Sequence, residues 1–218
     1  RGESSRQDCR FVQELCGTWG VPLHVIHLDV PAQAAKEGRG IEETARAMRY
    51  DFLWKTREVR RLETLATAHH LNDQAETVLM HALRGASVSG LAGMRPKSGM
   101  LIRPLLDVDP EELREYLNEH NLDFRKDKTN ADTRYTRNYV RHVILPDCER
   151  AYLGSRAGLC RLAKAAARDD DYMSSVADVA VRECLFEYPG GEFIVADKFR
   201  SLHPAIQARI AARAMRNS

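Results

Sequence analysis

The hydrophobic positions of this chain repeat either with a helical period or in short apolar runs that are typical of buried strands. Up to residue 84 these patterns predict, in order, a helix at 4–18, a strand at 22–28, a helix at 41–60, a strand at 63–68 and a helix at 73–84. Regular alternation of this kind indicates a parallel sheet covered by helices. We therefore predict an α/β, Rossmann-like fold, a parallel sheet with flanking helices, for this part of the chain.

The pattern becomes less regular after residue 84. Residues 86–98 are rich in glycine and serine and predict a loop, and Leu101-Ile102 predicts a short extended piece. Asp109-Pro110 predicts the start of another helix, because an N-cap residue is followed by proline in the first turn.

The last third of the chain is mainly helical in its pattern, and only Glu192–Ala196 resembles a strand. We predict a domain boundary near 146–152. Residues 1–146 would then form the C-terminal part of the α/β domain, and residues 147–218 a smaller, mainly helical and incomplete domain.

Composition limits where the protein works. No apolar run reaches the length of a membrane span, and no signal peptide is visible. The five cysteines are scattered without a C-x-x-C pair, which argues against a zinc ribbon or a vicinal redox pair. We predict a cytoplasmic protein with reduced thiols and no membrane association. The sequence leaves the oligomeric state open, a homodimer included.

One segment is strongly basic although the net charge of the chain is only +2. From Arg125 to Arg168, eleven Lys and Arg residues stand against four Asp and Glu residues, which is a local excess of seven positive charges. Such a segment either contacts phosphates or forms a solvated helix face. The spacing of Arg134, Arg137 and Arg141 predicts that they share one helical face, which favours a functional role.

Polar residues gather where the strand at 63–68 passes into the next helix. His69, His70, Asn72, Asp73 and Glu76 follow one another there, and ligands of open parallel sheets bind at this edge. Asp73 and Glu76 share a helical face, so they suit a metal–nucleotide complex or the amino group of a substrate. The alternative is a D-x-x-E capping box that only starts the helix.

Several sequence blocks occur in the order typical of one family. They are HHLNDQAET at 69–77, Arg84-Gly85, GLAGM at 90–94, RPLL at 103–106, DKTN at 127–130 and RNYVR at 137–141. These blocks resemble those of the tRNA(Ile)-lysidine synthetases, members of the PP-loop ATP-pyrophosphatase superfamily. One departure is Asn72, where the family usually has aspartate, so the functional carboxylates fall on Asp73 and Glu76.

The resemblance implies roles for particular residues. Asp73, Glu76 and Arg141 would be catalytic, with the carboxylates pairing with ammonium groups of L-lysine or holding Mg²⁺, for which Asp73 is the candidate ligand, and Arg141 binding the lysine carboxylate. Nucleotide contacts would come from Arg49, His69 and His70, and substrate contacts from Arg84, Asn130, Arg137 and Asn138. Taken without the resemblance, Arg49 would be a surface arginine paired with Glu42 or Glu43.

The resemblance also implies a reaction. Family members use ATP, with Mg²⁺, to adenylate O2 of the wobble cytidine in the tRNA(Ile) that carries the anticodon CAU. The lysine ε-amine then attacks C2, AMP leaves, and lysidine is formed. An anticodon base is single-stranded and therefore accessible without opening a duplex.

A second departure concerns the nucleotide loop. The SGGxDS motif of the superfamily is absent from all 218 residues, and the chain opens on Arg1-Gly2-Glu3-Ser4, which resembles a segment downstream of that loop. We therefore expect this chain alone to bind ATP poorly and to be inactive. The alternatives are a related PP-loop enzyme that thiolates tRNA, which the cysteine spacing disfavours, and a non-catalytic tRNA-binding fragment.

Overall fold

A computed structural model describes residues 2–125, 132–188 and 191–217, most of them helical. Its elements up to residue 119 are α1 (Gly2–Trp19), α2 (Val30–Glu37), α3 (Ile41–Val59), β1 (Leu65–Ala66), α4 (Leu71–Leu83), α5 (Val88–Leu91), β2 (Lys97–Ser98), β3 (Leu101–Ile102) and α6 (Pro110–Glu119). The remaining elements are α7 (Thr136–Tyr139), a π-helical turn (Val140–Ile144), α8 (Leu145–Ala151), α9 (Ser155–Cys184), β4 (Leu185–Tyr188), β5 (Gly191–Ile194), α10 (Ala196–Ser201) and α11 (Pro204–Asn217). Over these described ranges, no helix combines the length and the apolar character that crossing a membrane requires.

The sheet confirms the predicted α/β class. β1 runs parallel to β3, with Leu65 opposite Leu101 and Ala66 opposite Ile102. The connection between them contains α4 and α5, as expected for a parallel pair. β2 adds an antiparallel edge strand to β3, and β4 and β5 form a separate antiparallel pair.

The strand predicted at 22–28 is wrong, because residues 21–29 have no regular secondary structure. Their apolar side chains are exposed, namely Val21, Leu23, Val25, Ile26 and Leu28. A groove of about 550 Å³ separates part of this segment from α1. A strand needs a neighbour for its backbone hydrogen bonds, and none of the described strands pairs with this segment. The apolar pattern therefore predicts a strand where the structure has no regular element.

Helix α2 was not predicted, although the sequence contains its start signal. Asp29 accepts a hydrogen bond from the backbone N–H of Ala32 at 3.1 Å, and Pro31 stands in the first turn. The helix ends at Gly38, which has φ of +63°. These are ordinary capping residues, but only Ala34 of this short helix is buried, so its hydrophobic periodicity is weak.

The chain divides into two compact units. One consists of Arg1–Ala68, Pro96–Pro104 and Leu113–Lys128, and the other of His69–Arg95, Leu105–Glu112 and Thr129–Ser218. The second unit joins α4 and α5 with α8 and α9, because α9 packs against both α4 and α5. The domain boundary near 146–152 stays a prediction, since this division follows contacts and does not cut the chain there.

Two apolar clusters hold the second unit together. The first joins α4, the π-helical turn, α8 and α9 through four buried residues, Ala75, Val140, Leu145 and Cys160. The second joins α9 to α11 through Ala177, Ala180, Ile206 and Ile210. Alanines at the contact positions let α9 approach its neighbours closely. This packing fixes the N-terminal turns of α4 beside the π-helical turn.

The GLAGM loop has a structural role in this molecule. The buried side chain of Gln74 accepts a hydrogen bond from the N–H of Met94 at 2.8 Å and donates to the carbonyl of Met94 at 3.0 Å. Gly93 has φ of +59°, and a Cβ there would lie 2.8 Å from Oε1 of Gln74. Only glycine combines that backbone conformation with that contact.

We expect Gly93→Ala to lower the free energy of unfolding by about 2–4 kcal/mol, because left-handed strain adds to the loss of the Gln74 bonds. Gly85→Ala is the matched control, since Gly85 has φ of +72° but open space around it. The control should lose only the strain, about 1–2 kcal/mol. Urea unfolding of both variants measures the difference, and equal losses would show that Gln74 does not hold the loop.

Candidate active site

Helix α4 places the two predicted carboxylates at its start. The helix begins at Leu71, two residues earlier than the pattern predicted, with His70 as the N-cap residue. Oδ2 of Asp73 accepts a hydrogen bond from the backbone N–H of His70 at 3.1 Å. The predicted D-x-x-E capping box is therefore not formed. The capping box instead joins His70 to Asp73, which occupies the third helical position, and Glu76 takes no part in it.

Glu76 lies deeper and is paired with two arginines. Its side chain is 0% exposed. Oε2 accepts from Nε of Arg137 at 2.8 Å and from Nη2 of Arg141 at 2.9 Å, and Oε1 accepts from Nε of Arg141 at 2.5 Å. A buried carboxylate is stable only with such charged, hydrogen-bonded partners.

Asp73 pairs with the same two arginines on their more exposed side. Its Oδ1 accepts from Nη2 of Arg141 at 3.0 Å and from Nη2 of Arg137 at 3.3 Å. Asp73, Glu76, Arg137 and Arg141 together are called the arginine–carboxylate cluster below. Two carboxylates and two guanidinium groups make the cluster electrically neutral. Burial lowers the pKa of Arg141, but the hydrogen bond and charge of Glu76, helped by Asp73, outweigh it and leave the pKa raised.

The two arginines reach the cluster because of the helix that carries them. Arg137 and Arg141 are four residues apart and so lie on one face. After α7 the helix widens into the π-helical turn, where the N–H of Leu145 bonds to the carbonyl of Val140. Pro146 follows, lacks an N–H group, and would crowd the carbonyl of His142 in a regular α-helix. The widened turn thus continues the helix across the proline, next to the site.

Arg134 does not share this face, so that prediction is wrong. Helix α7 begins only at Thr136, and Arg134 precedes it, paired with Asp132 and 88% exposed. Asn138, a predicted substrate contact, donates from Nδ2 to the carbonyl of Asp132 at 3.0 Å. Asn138 therefore ties the preceding segment to α7.

The other predicted site residues lie in different parts of the chain. His70 stands beside the cluster, with Nε2 at 3.5 Å from Oδ2 of Asp73, and His69 precedes it in the chain. Arg84 is exposed at the far end of α4, eleven residues from Asp73 and thus about 16 Å along the helix axis. Arg49 is exposed on α3 in the other compact unit. Asn130, with the rest of the DKTN block, lies outside the described residues.

The acidic pair does not fit the predicted Mg²⁺ site. Magnesium takes oxygen ligands and keeps several waters, whereas both oxygens of Glu76 and both of Asp73 already accept N–H bonds. Among the described residues, no group of three His, Cys, Asp or Glu side chains is arranged to hold a metal ion.

Comparison with known proteins identifies the family. A family model described as a PP-loop domain matches residues 2–148. The tRNA(Ile)-lysidine synthase of Clostridioides difficile is 34% identical over 221 residues, covering 100% of this chain and 47% of the relative. That of Caldanaerobacter subterraneus is 34% identical over 215 residues, with 98% and 46% covered, and that of Chlorobaculum tepidum is 35% identical over 191 residues, with 87% and 56% covered. The chain thus spans about half the length of these curated relatives.

A solved structure supports the same fold. The U34-tRNA thiolase NcsA from Methanococcus maripaludis matches with a TM-score of 0.53, covering 70% of this chain and 53% of that chain. Its sequence identity is 16%, so the likeness concerns the fold alone. The family model, by contrast, covers more than half of this chain. The chain therefore belongs to the PP-loop family, and the curated relatives described above are tRNA(Ile)-lysidine synthases.

Proposed function

We propose that this chain is part of an enzyme that ligates L-lysine to C2 of the wobble cytidine, position 34, of the tRNA(Ile) with anticodon CAU. The observation that supports this most is the arginine–carboxylate cluster. It joins two distant sequence blocks, 69–77 and 137–141, that both resemble lysidine synthetase motifs. Similarity to relatives with that name supports the same reaction.

The proposed chemistry has two steps. Cytidine O2 first attacks the α-phosphorus of ATP, and pyrophosphate leaves. The unprotonated ε-amine of lysine then attacks C2, the C2–O2 bond breaks, AMP leaves with that oxygen, and the amine loses a proton. Adenylation is needed because an amide-like oxygen is a poor leaving group.

The cluster suits the head group of free lysine in this scheme. Guanidinium groups bind carboxylates through two parallel hydrogen bonds, so Arg141 is the proposed partner of the lysine carboxylate. Asp73, whose side chain is still 13% exposed on the outer side of the cluster, is the proposed partner of the α-ammonium group, which would use the second lone pair of Oδ2. Holding lysine by its head group would leave the ε-amine free to react.

PP-loop family membership implies ATP use, but the described residues do not explain how phosphate is held. The GLAGM loop cannot serve as a phosphate cradle, because Gly93 packs on Gln74. The acidic pair is filled by arginines, so we assign it no step through Mg²⁺. His69, His70 and Arg49 remain proposed nucleotide contacts.

The test is a ligation assay with the intact natural protein. A transcript of tRNA(Ile) with anticodon CAU, Mg·ATP and labelled lysine should give one lysine, one AMP and one pyrophosphate per modified tRNA. A transcript with uridine at position 34 is the control and should take up no lysine. If the protein consumes ATP with this tRNA but transfers no lysine, the proposed function is wrong.

A further inference from the structure

We propose that Glu76 is a positioning residue, which fixes Arg137 and Arg141 as one oxyanion-binding edge and does not itself touch the substrate. The ligand would be a carboxylate or phosphate group that meets both arginines. The oxyanion edge follows from the geometry of the cluster, and only the choice of lysine as its source rests on the proposed function.

Glu76 has no surface left for a ligand. Its side chain is fully buried, and neighbours Ala75 and Val78 on α4 are each 0% exposed. Both of its oxygens accept charge-assisted hydrogen bonds, one of them from two guanidinium nitrogens. An ammonium group or a metal ion would have to displace both arginines to reach it.

The arginines, in contrast, keep donors that the carboxylates do not use. All their bonds to Asp73 and Glu76 use Nε and Nη2. Nη1 of Arg137 and Nη1 of Arg141 make no hydrogen bond to any residue within 2–125, 132–188 or 191–217. The side chains are 27% and 29% exposed, so a ligand can approach both of them.

The electrostatic surroundings of the two arginines also permit an anion to bind. Glu76 and Asp73 balance the two arginines, so the cluster carries no excess negative charge that would repel an oxyanion. It lies at the N-terminal turns of α4, a helix of 13 residues whose dipole is positive at that end. The donors that the carboxylates leave unused therefore suit a planar oxyanion, which guanidinium groups bind through two hydrogen bonds.

Binding titrations of the intact protein test the proposal. The probes are L-lysine, lysinamide (which lacks the carboxylate), inorganic pyrophosphate and Mg²⁺ alone. In the wild type, at least one of the two oxyanion probes, L-lysine and pyrophosphate, should bind. Glu76→Gln should weaken that binding at least tenfold, with no change for Mg²⁺, because the arginines lose their fixed orientation. Arg134→Ala, which removes an arginine outside the cluster, is the matched control and should bind like the wild type.

The probes also separate this proposal from the proposed function. If the wild type binds lysine but not lysinamide, and Glu76→Gln no longer binds lysine, the oxyanion edge and the proposed function are both supported. Pyrophosphate binding that depends on Glu76, without lysine binding, supports the oxyanion edge and contradicts its use for lysine. Unchanged oxyanion binding in Glu76→Gln overturns the positioning role, as does loss of Mg²⁺ binding in that variant.

A second variant covers the case in which Glu76→Gln does not fold. Arg137→Met keeps an apolar stem of similar length and leaves Glu76 paired with Arg141. We expect the melting temperature of this variant to lie within a few degrees of the wild-type value. Its oxyanion binding should be at least fivefold weaker than that of the wild type. Full-strength binding in folded Arg137→Met would show that Arg137 is not part of the edge.

Discussion

Replacing Arg141 with alanine is expected to reduce lysidine formation at saturating tRNA by at least about 100-fold, with little change in tRNA affinity. Arg141 makes three of the five bonds between arginines and carboxylates in the cluster, and its exposed edge is the proposed seat of the lysine carboxylate. Its loss both removes that donor and leaves Glu76 with one partner. Single-turnover modification measures the chemical step separately from binding.

Arg134→Ala is the comparison for that experiment. Arg134 is exposed outside the cluster, so its loss should leave turnover normal. If it contacts a tRNA phosphate, the slope of log K against log salt should change by about 0.7–0.9, one contact's worth. Filter binding across a salt series measures this slope. An Arg141→Ala variant that binds tRNA weakly but turns over normally would show that the whole segment acts as an electrostatic surface.

The residues of the candidate site were predictable from the sequence, but the pairing of the carboxylates with the arginines was not. Helical spacing placed Asp73 and Glu76 on one face of a helix, and the structure agrees. Spacing alone could not show that Glu76 is buried, because its partners Arg137 and Arg141 lie more than sixty residues away. The resemblance brought the two blocks together but implied that Glu76 pairs with an ammonium group or a metal ion. Its exposed fraction of zero favours the positioning role proposed above, and the role toward an ammonium group or a metal ion stays a prediction.

The errors in the fold prediction have local physical causes. The start of α4 was missed by two residues because His70 is not among the common N-cap residues. Arg134 was placed on the helix because a spacing rule assumes that the helix already exists there, whereas α7 starts at Thr136. The strand at 22–28 failed because strand formation depends on neighbours that the segment's own pattern cannot reveal.

Replacing Glu76 with alanine is expected to be the most destabilising change in the cluster, at about 3–5 kcal/mol, because it leaves two partly buried guanidinium groups without their main partner. Urea unfolding measures this loss. Asp73→Asn is the control: Asp73 lies on the outer side, and its amide variant keeps the shape of the cap, so a loss of about 1 kcal/mol is expected.

A double-mutant cycle identifies why Glu76→Ala loses stability. If unpaired charge dominates, adding Arg141→Ala to Glu76→Ala should destabilise less than the sum of the two single changes, by about 1–3 kcal/mol. Additive losses would mean that Glu76 contributes packing rather than charge pairing. In that case the orientation of the two arginines would not depend on Glu76, and the weak oxyanion binding expected of Glu76→Gln would also not be observed.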